Sequence, residues 1–235
     1  MADNKRVVIL GGHGKVGLLA AAKLNAAGHA VDSVIRDPGQ ADDVEQAGGR
    51  PVELDIQSAS VDDLIGLFTG AEAIVFTAGA GGKGPAERTR AVDHDAAVRT
   101  MQAAERSGVQ RYVMVSYAHA LDQYRELGPE HSFYPYAKAK HDADAHLRET
   151  ALDYTILGPG LLTLESATGK LQLADEHGKV DGDWPDDKNV TSRENVAAVI
   201  THVIAAHAAV RQTVNFYDGD VAISDALAPG SRVSA

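Results

Sequence analysis

Val7-Val8-Ile9-Leu10-Gly11-Gly12-His13-Gly14-Lys15-Val16-Gly17, continuing into Leu18-Leu19-Ala20-Ala21-Ala22, reads as a buried strand, a glycine turn and an alanine-rich helix. That order predicts a dinucleotide site. The strand delivers the backbone to a tight turn where glycines let a pyrophosphate approach the main chain. The helix start then offers free N–H groups and the positive end of its dipole to the anion. The spacing is Gly11-x-x-Gly14-x-x-Gly17 rather than the more familiar G-x-G-x-x-G, so its weight comes from the strand before it and the helix behind it.

Working outward, strand-like and helix-like segments alternate. After a helix over about 16–27, β-branched residues at 30–35 predict a second strand. A turn and short helix at 38–47 lead to a third strand at 51–56, and an amphipathic helix follows at 61–68. The continuous apolar run 73–78 is the pattern of a central parallel strand covered on both faces. A long helix over 85–107, a strand at 111–116, a helix over 135–149 and a strand at 153–157 continue the series. Beyond Gly158 the pattern gives way to loops and short pieces. Thr191-Ser192-Arg193-Glu194 predicts a capping box at the start of a helix to about 208, with Thr191 as cap, and 212–217 reads as a last strand. Six or more alternating strands predict an α/β fold with a doubly wound parallel sheet. At 235 residues it is expected to be a single domain over 1–235, with substrate-side loops at about 158–190. The charged stretch Asp175 to Asp187, with Trp184 and Pro185, is expected to be a solvated flap beside the cleft.

The composition narrows the partners. A formal net charge of −11 argues against nucleic acid, which needs a basic footprint, so a bound anion must be captured locally. With no cysteine, disulfides, thiolate metal sites and a cysteine nucleophile are excluded. The first six residues do not read as a signal peptide, and no segment has the length of a membrane span. The expectation is a cytoplasmic protein, monomer or homodimer, acting on a small molecule. Its ten histidines form no H-E-x-x-H pattern, and His141 and His146 do not share a helical face, so no metal is predicted.

Position at the strand ends selects the candidate binding residues. Gly11, Gly12, His13, Gly14, Lys15, Val16 and Gly17 form the phosphate turn. Arg36, after the second strand, could grip the 2′-phosphate of NADP, while the neighbouring Asp37 keeps NAD, the less favoured cofactor, open. Asp55 and Ile56 close the third strand near the adenine. Ala78, Gly79 and Ala80, with Gly81 and Gly82, follow the fourth, where small residues admit the adenosine half. For chemistry, Ser116 ends the fifth strand, and Tyr136 and Lys140 stand four apart on the next helix. A nearby ammonium would lower the phenol pKa for proton exchange in carbonyl–alcohol chemistry. Tyr134 and Lys138 have the same spacing in a different register, and spacing does not choose between the pairs.

Through Gly11-x-x-Gly14-x-x-Gly17, Ile74-Val75-Phe76-Thr77-Ala78-Gly79, Arg111-Tyr112-Val113-Met114-Val115-Ser116, Leu152-Asp153-Tyr154-Thr155-Ile156-Leu157 and Thr191-Ser192-Arg193-Glu194-Asn195-Val196-Ala197, the chain resembles the atypical short-chain dehydrogenase/reductases of the NAD(P)H-binding, NmrA-like bacterial branch. Members of that branch are often labelled NAD-dependent epimerase/dehydratase or sugar epimerase. The resemblance implies a Rossmann-like fold. It selects Lys140, and with it Tyr136, by their distance before the Leu152–Leu157 strand. It also places Pro159, Gly160 and Leu161 near the nicotinamide and Lys140 at the cofactor. Relatives usually carry arginine before that Pro-Gly pair, where this chain has Gly158.

These readings converge on an NADP-dependent oxidoreductase. Hydride would pass between the nicotinamide and a small carbonyl, alcohol or quinone, with Tyr136 transferring the proton, Lys140 tuning it and Ser116 orienting the oxygen. A redox sensor that binds NADP(H) without turnover is the alternative outside catalysis. An NAD-dependent epimerase/dehydratase is disfavoured within it, because only about 75 residues follow Pro159.

Overall fold

The Val7–Leu10 run is buried throughout, because parallel strands on both sides leave no edge to water. The computed structural model describes residues 5–80, 85–185 and 189–229. In chain order its first half comprises β1 (Arg6–Leu10), α1 (Lys15–Ala26), β2 (Ala30–Ile35), α2 (Ala41–Gln46), β3 (Arg50–Glu53), α3 (Val61–Phe68), β4 (Ala73–Phe76), α4 (Ala86–Thr89), α5 (Ala97–Ser107) and β5 (Arg111–Val115). The second half comprises α6 (Gln123–Glu126), α7 (Tyr134–Glu149), β6 (Asp153–Pro159), β7 (Leu161–Thr163), β8 (Lys170–Ala174), β9 (Val190–Ser192), α8 (Arg193–Ala205), β10 (Gln212–Asp218), β11 (Val221–Ala222) and α9 (Ile223–Ala226).

The central nine-stranded sheet runs β11-β8-β10-β6-β5-β4-β1-β2-β3. It is parallel from β3 to β10, as a Rossmann-like α/β fold requires. The chain winds outward from β1 to β3 and then crosses back to β4 on the other side of β1. The strand order therefore reverses between β1 and β4, and a crevice opens above their carboxyl ends. One apolar cluster lies under α1 and α8, with Leu24, Val199 and Ile200 at its centre. The other lies under α3, α5 and α7, with Phe68, Met101 and Leu147.

Three local departures from the sequence pattern shape the site. The helix expected over 85–107 is interrupted by a π-helical turn at Arg90–Ala96, a deformation that often accompanies functional positions. It turns Asp93 inward to 1% exposure. Beyond Gly158 the expected short pieces are strands that join two ladders. β8 extends the sheet antiparallel to β10, and β7 pairs with β9 in a separate ladder. The cap of α8 is Ser192, whose Oγ accepts from Asn195 N. Thr191 lies in β9, with its Oγ1 donating to Phe216 O at 3.1 Å and accepting from Gly160 N at 3.0 Å.

The seam of the sheet is tied by a buried arginine. Arg111 donates to the carbonyls of Asp153 at 2.7 Å and of Val203 and Ala208 at 3.0 Å each. Burial pushes its guanidinium pKa down to about 10, against the pull of Asp153. At the opposite edge, Asp32 on β2 accepts from Arg50 at 2.6 and 2.7 Å and from Arg6 at 2.8 Å. Burial disfavours that carboxylate, but the two guanidinium groups outweigh it and hold the carboxyl below its ordinary range. No helix among the described residues is long and apolar enough to cross a membrane.

Candidate functional site

The crevice at the switch point holds a cavity of about 250 Å³. Gly11, His13, Gly14, Arg36, Asp55, Ile56, Ala78 and Gly79 all line it, joined by Gln40, Gln57, Thr77 and Arg88. The turn is closed by hydrogen bonds from Gly12 N to Val34 O and from Gly14 N to Gly11 O, both 2.9 Å. Gly11 has φ +85°, and a Cβ there would meet Ala78 N at 2.7 Å, so the chain passes this point only as glycine. No side chain caps α1 at Gly14, and no acidic residue occupies its first turn. An uncapped helix start above a cavity is a fit for a pyrophosphate. Gly12 and Gly17 are buried inside the turn, Val16 is half-buried, and Lys15 reaches solvent.

The charged groups around the cavity divide clearly. His13 is engaged by Asp43 at 2.8 Å. Asp37 Oδ1 accepts from Gly39 N at 2.9 Å, and Asp55 Oδ1 accepts from Gln57 N at 3.0 Å, so each turns one oxygen to its own loop. Arg36 and Arg88 are exposed and have no ion-pair partner among the described residues. Ala80, at the end of the β4 loop, donates its N–H to Asp93 Oδ2 at 3.0 Å. The neighbouring Gly81 and Gly82 lie outside the described residues.

A second group of residues meets at the carboxyl end of β5. Ser116 Oγ lies 2.6 Å from Asp144 Oδ2, and Lys140 Nζ donates to Val115 O at 2.8 Å. Lys140 and Asp144 are each 2% exposed. Burial raises the Asp93 and Asp144 carboxyl pKa values, opposed by the Lys140 ammonium near both. Tyr136 sits beside them in an aromatic cluster, 5.0 Å from the Phe133 ring and 5.7 Å from that of Tyr117. The expectation that Lys140 lowers the Tyr136 phenol pKa is corrected here. Burial raises it, and the charges of Asp93 and Asp144 raise it further, while the ammonium is directed at Val115 O. The competing register faces elsewhere, with Lys138 bonded to both Asp142 oxygens at 2.8 Å.

Sequence reasoning missed Asp93, Asp144 and Tyr117. Asp144 carried a readable signal, since Tyr136, Lys140 and Asp144 recur every four residues and share one face of α7. Asp93 carried none, because only the π turn aims it inward. Tyr117 Oη is buried without a hydrogen-bond partner among the described residues. Burial, with Tyr136, Asp144 and Glu126 nearby, raises its phenol pKa.

The Pro159–Leu161 segment leaves β6 at the same end of the sheet as Ser116. Its backbone is occupied by the protein: Ala118 N donates to Pro159 O, Gly160 N to Phe216 O and Leu161 N to Asn189 O. Leu161 itself is 69% exposed. At Gly158 a Cβ would collide with Asn215 Oδ1. Asn215 Nδ2 in turn donates to Asp175 O at 2.8 Å and Glu176 O at 3.3 Å, so there is no space for an arginine at 158. The stretch expected as a solvated flap is instead fastened across its described part. His177 pairs with Asp122, Tyr217 Oη donates to Gly178 O at 2.7 Å, and Trp184 stacks on His119 with ring centroids 4.2 Å apart. Asp187 and Lys188 lie outside the described residues.

The sequence matches the NAD(P)H-binding family over residues 11–207. It is 33% identical to the UPF0659 protein C216.03 of Schizosaccharomyces pombe, across 94% of this chain and 93% of that one. Among solved structures, an NAD-dependent epimerase/dehydratase of Bacillus halodurans superposes with a TM-score of 0.82 at 28% identity, covering 94% of this chain and 97% of that one. The oxidoreductase ylbE of Lactococcus lactis does so with a TM-score of 0.77 at 27% identity, covering 94% of each. The glycine turn, the cavity at the switch point and a match spanning most of the sequence agree: the chain belongs to the NAD(P)H-binding family.

Proposed function

We propose that this protein is an NADP(H)-dependent oxidoreductase that reduces a small carbonyl compound or quinone. The observation that supports turnover is the cluster at the end of β5. Ser116, Lys140 and Asp144 are almost wholly buried, and burying an ammonium and a carboxyl group in the interior costs folding free energy. A module that only reports cofactor occupancy has no use for that expense, whereas proton-bearing groups beside a reacting oxygen do. The preference for NADP is supported by Arg36, unpaired at the cavity rim, and by Asp37, whose Oδ1 is taken by Gly39 N.

In this reading the Gly11–Gly14 turn and the first N–H groups of α1 hold the pyrophosphate. Arg36 holds the 2′-phosphate, and Asp55, Ile56 and the Ala78–Ala80 backbone border the adenosine half. A bound reduced nicotinamide supplies the hydride. Ser116 and Tyr136 hold the oxygen that accepts a proton. Tyr136 is a protonated phenol at neutral pH and donates the proton in the reductive direction, although burial and the charges of Asp93 and Asp144 make it a weaker acid than a free phenol. Lys140 positions the strand end through Val115 O, and the Pro159–Leu161 segment borders the nicotinamide.

Stopped-flow oxidation of bound NADPH against a panel of carbonyls and quinones tests the reading. Turnover with at least one member is expected, with Tyr136→Phe lowering it about 100-fold or more. A panel that leaves NADPH intact would favour the sensor, and unchanged turnover in Tyr136→Phe would remove the proton assignment. Arg36→Ala should weaken NADP binding about 10- to 100-fold with little effect on NAD. Equal losses for the two cofactors would overturn the 2′-phosphate assignment.

A further inference from the structure

The loop that follows β3 is held from behind by one side chain. Arg99, on α5, directs Nη2 at two consecutive main-chain carbonyls, Ile56 O at 2.9 Å and Gln57 O at 2.8 Å. The carbonyl before them, Asp55 O, accepts from Ser58 N at 3.1 Å and Ala59 N at 2.9 Å. The protein thus uses every carbonyl of the loop, while Asp55, Ile56 and Gln57 line the cavity.

Arg99 is not arranged for stability. Its Nε is buried without a hydrogen-bond partner, and its guanidinium has no ion-pair partner among the described residues. A half-buried cation with an unpaired donor contributes little to folding. What it secures is the orientation of one peptide group. Ile56 O accepts from Arg99, and the N–H of the same peptide, Gln57 N, donates to Asp55 Oδ1 at 3.0 Å. A guanidinium on the carbonyl polarises the peptide and strengthens its N–H as a donor. Arg99 therefore acts on Asp55 through a single peptide unit. Asp55 Oδ2 has no partner among the described residues.

We propose that Arg99 is a positioning residue for recognition of the base, holding the Ile56–Gln57 peptide so that Asp55 keeps Oδ1 on its own loop and presents Oδ2 to the amino group of a 6-aminopurine. The inference rests on the reading above in which Asp55 borders the adenosine half. A carboxylate only accepts hydrogen bonds. The 6-amino group of adenine satisfies it, whereas the 6-oxo group of hypoxanthine is itself an acceptor. Hypoxanthine does carry a donor one atom further round the ring, at N1, so a carboxylate free to shift would accept either base. Discrimination then depends on how firmly Asp55 is held, and not on its presence alone.

Calorimetric titration of the whole protein with 5′-AMP and with 5′-IMP tests this without turnover. The two ligands carry the same phosphate, so any loss of attraction to the Arg99 charge cancels in the ratio of their affinities. The wild-type protein should prefer AMP by about 10-fold. In Arg99→Met the ratio should fall toward one. Arg99→Lys, which keeps the charge and a donor on a shorter reach, guards against a folding defect and should give an intermediate ratio. Asp55→Ala should abolish the preference. A ratio that stays at the wild-type value in either folded Arg99 variant, with the preference lost in Asp55→Ala, overturns the positioning role alone. A wild-type protein that binds AMP and IMP equally overturns the placement of Asp55 at the base, and the proposal with it.

Discussion

The β1–β4 side of the switch point and the β5–β10 side build their shares of the crevice from different material. On the first side the site is made of main chain: a glycine turn, an uncapped helix start and the ends of short strands. Many of its contacts are local, as with Gly14 N on Gly11 O and Asp37 on Gly39 N, though Gly12 N on Val34 O and His13 on Asp43 tie the turn to the second strand and helix. On the second side it is made of side chains from distant segments: Ser116 with Asp144, Lys140 near Asp93, Asp122 with His177 and His119 against Trp184. A turn made of main chain leaves little to exchange, while side chains that meet across the fold can be replaced singly.

The contrast can be broken most severely at Gly11. Gly11→Val forces a β-branched residue to φ +85° with its Cβ 2.7 Å from Ala78 N. A cost of several kcal/mol and loss of measurable NADPH binding are expected by calorimetry and cofactor fluorescence. Retained binding would show that the backbone turn is not the anion site.

Next in size is the seam between the two sides. Arg111→Ala releases three carbonyls in the interior, at about 3 kcal/mol, read as a lower urea midpoint with an unchanged slope. A smaller and pH-dependent effect is expected at the outer edge. Asp32 has a folded pKa below its unfolded one, so its contribution is fully present above the unfolded value and disappears as pH falls through the folded value. Asp32→Asn should therefore lower stability at neutral pH and not in strong acid, where wild type and variant converge. A difference independent of pH would show packing rather than charge. The smallest effect belongs to the hairpin. Asp122→Asn should change stability by under about 1 kcal/mol and leave NADPH affinity unchanged. It should speed amide exchange across 175–184, which distinguishes a fastened hairpin from a free flap.

The same division decides how much the sequence could tell. The α3 bounds and the order of elements through β6 were readable because hydrophobic period and turn residues act locally. So was the strand-end placement that brings Arg36, Asp55 and Ala78 to one cavity. The π turn was not, since nothing in Arg90–Ala96 departs from an ordinary helical pattern and packing of α7 on it supplies the cause. β7 and β9, three residues each, are too short to show a period. β8 did carry one, with Leu171 and Leu173 on one face, but a single alternation inside a charged stretch is easily read as loop. With Thr191 and Ser192 adjacent, either could cap α8, and the demand of Phe216 O and Gly160 N for Thr191 settled it. At the carboxyl end of β5, four-residue spacing left two Tyr/Lys pairs open and the family resemblance selected Lys140, while the direction of the Tyr136 shift depended on two carboxylates, one from the π turn.

Gly158 has a consequence for how this site could change over time. Asn215 fills the space that a side chain at 158 would need, and uses that position to hold the hairpin carbonyls of Asp175 and Glu176. The two positions are therefore sterically coupled. A lineage that acquired arginine at 158 first would meet a collision, whereas one that shortened residue 215 first would pass through a form with an untethered hairpin. Only the second route is sterically open, and its intermediate has the more accommodating crevice. A change in the shape of this side of the sheet would thus begin with position 215, before Gly158 itself has altered.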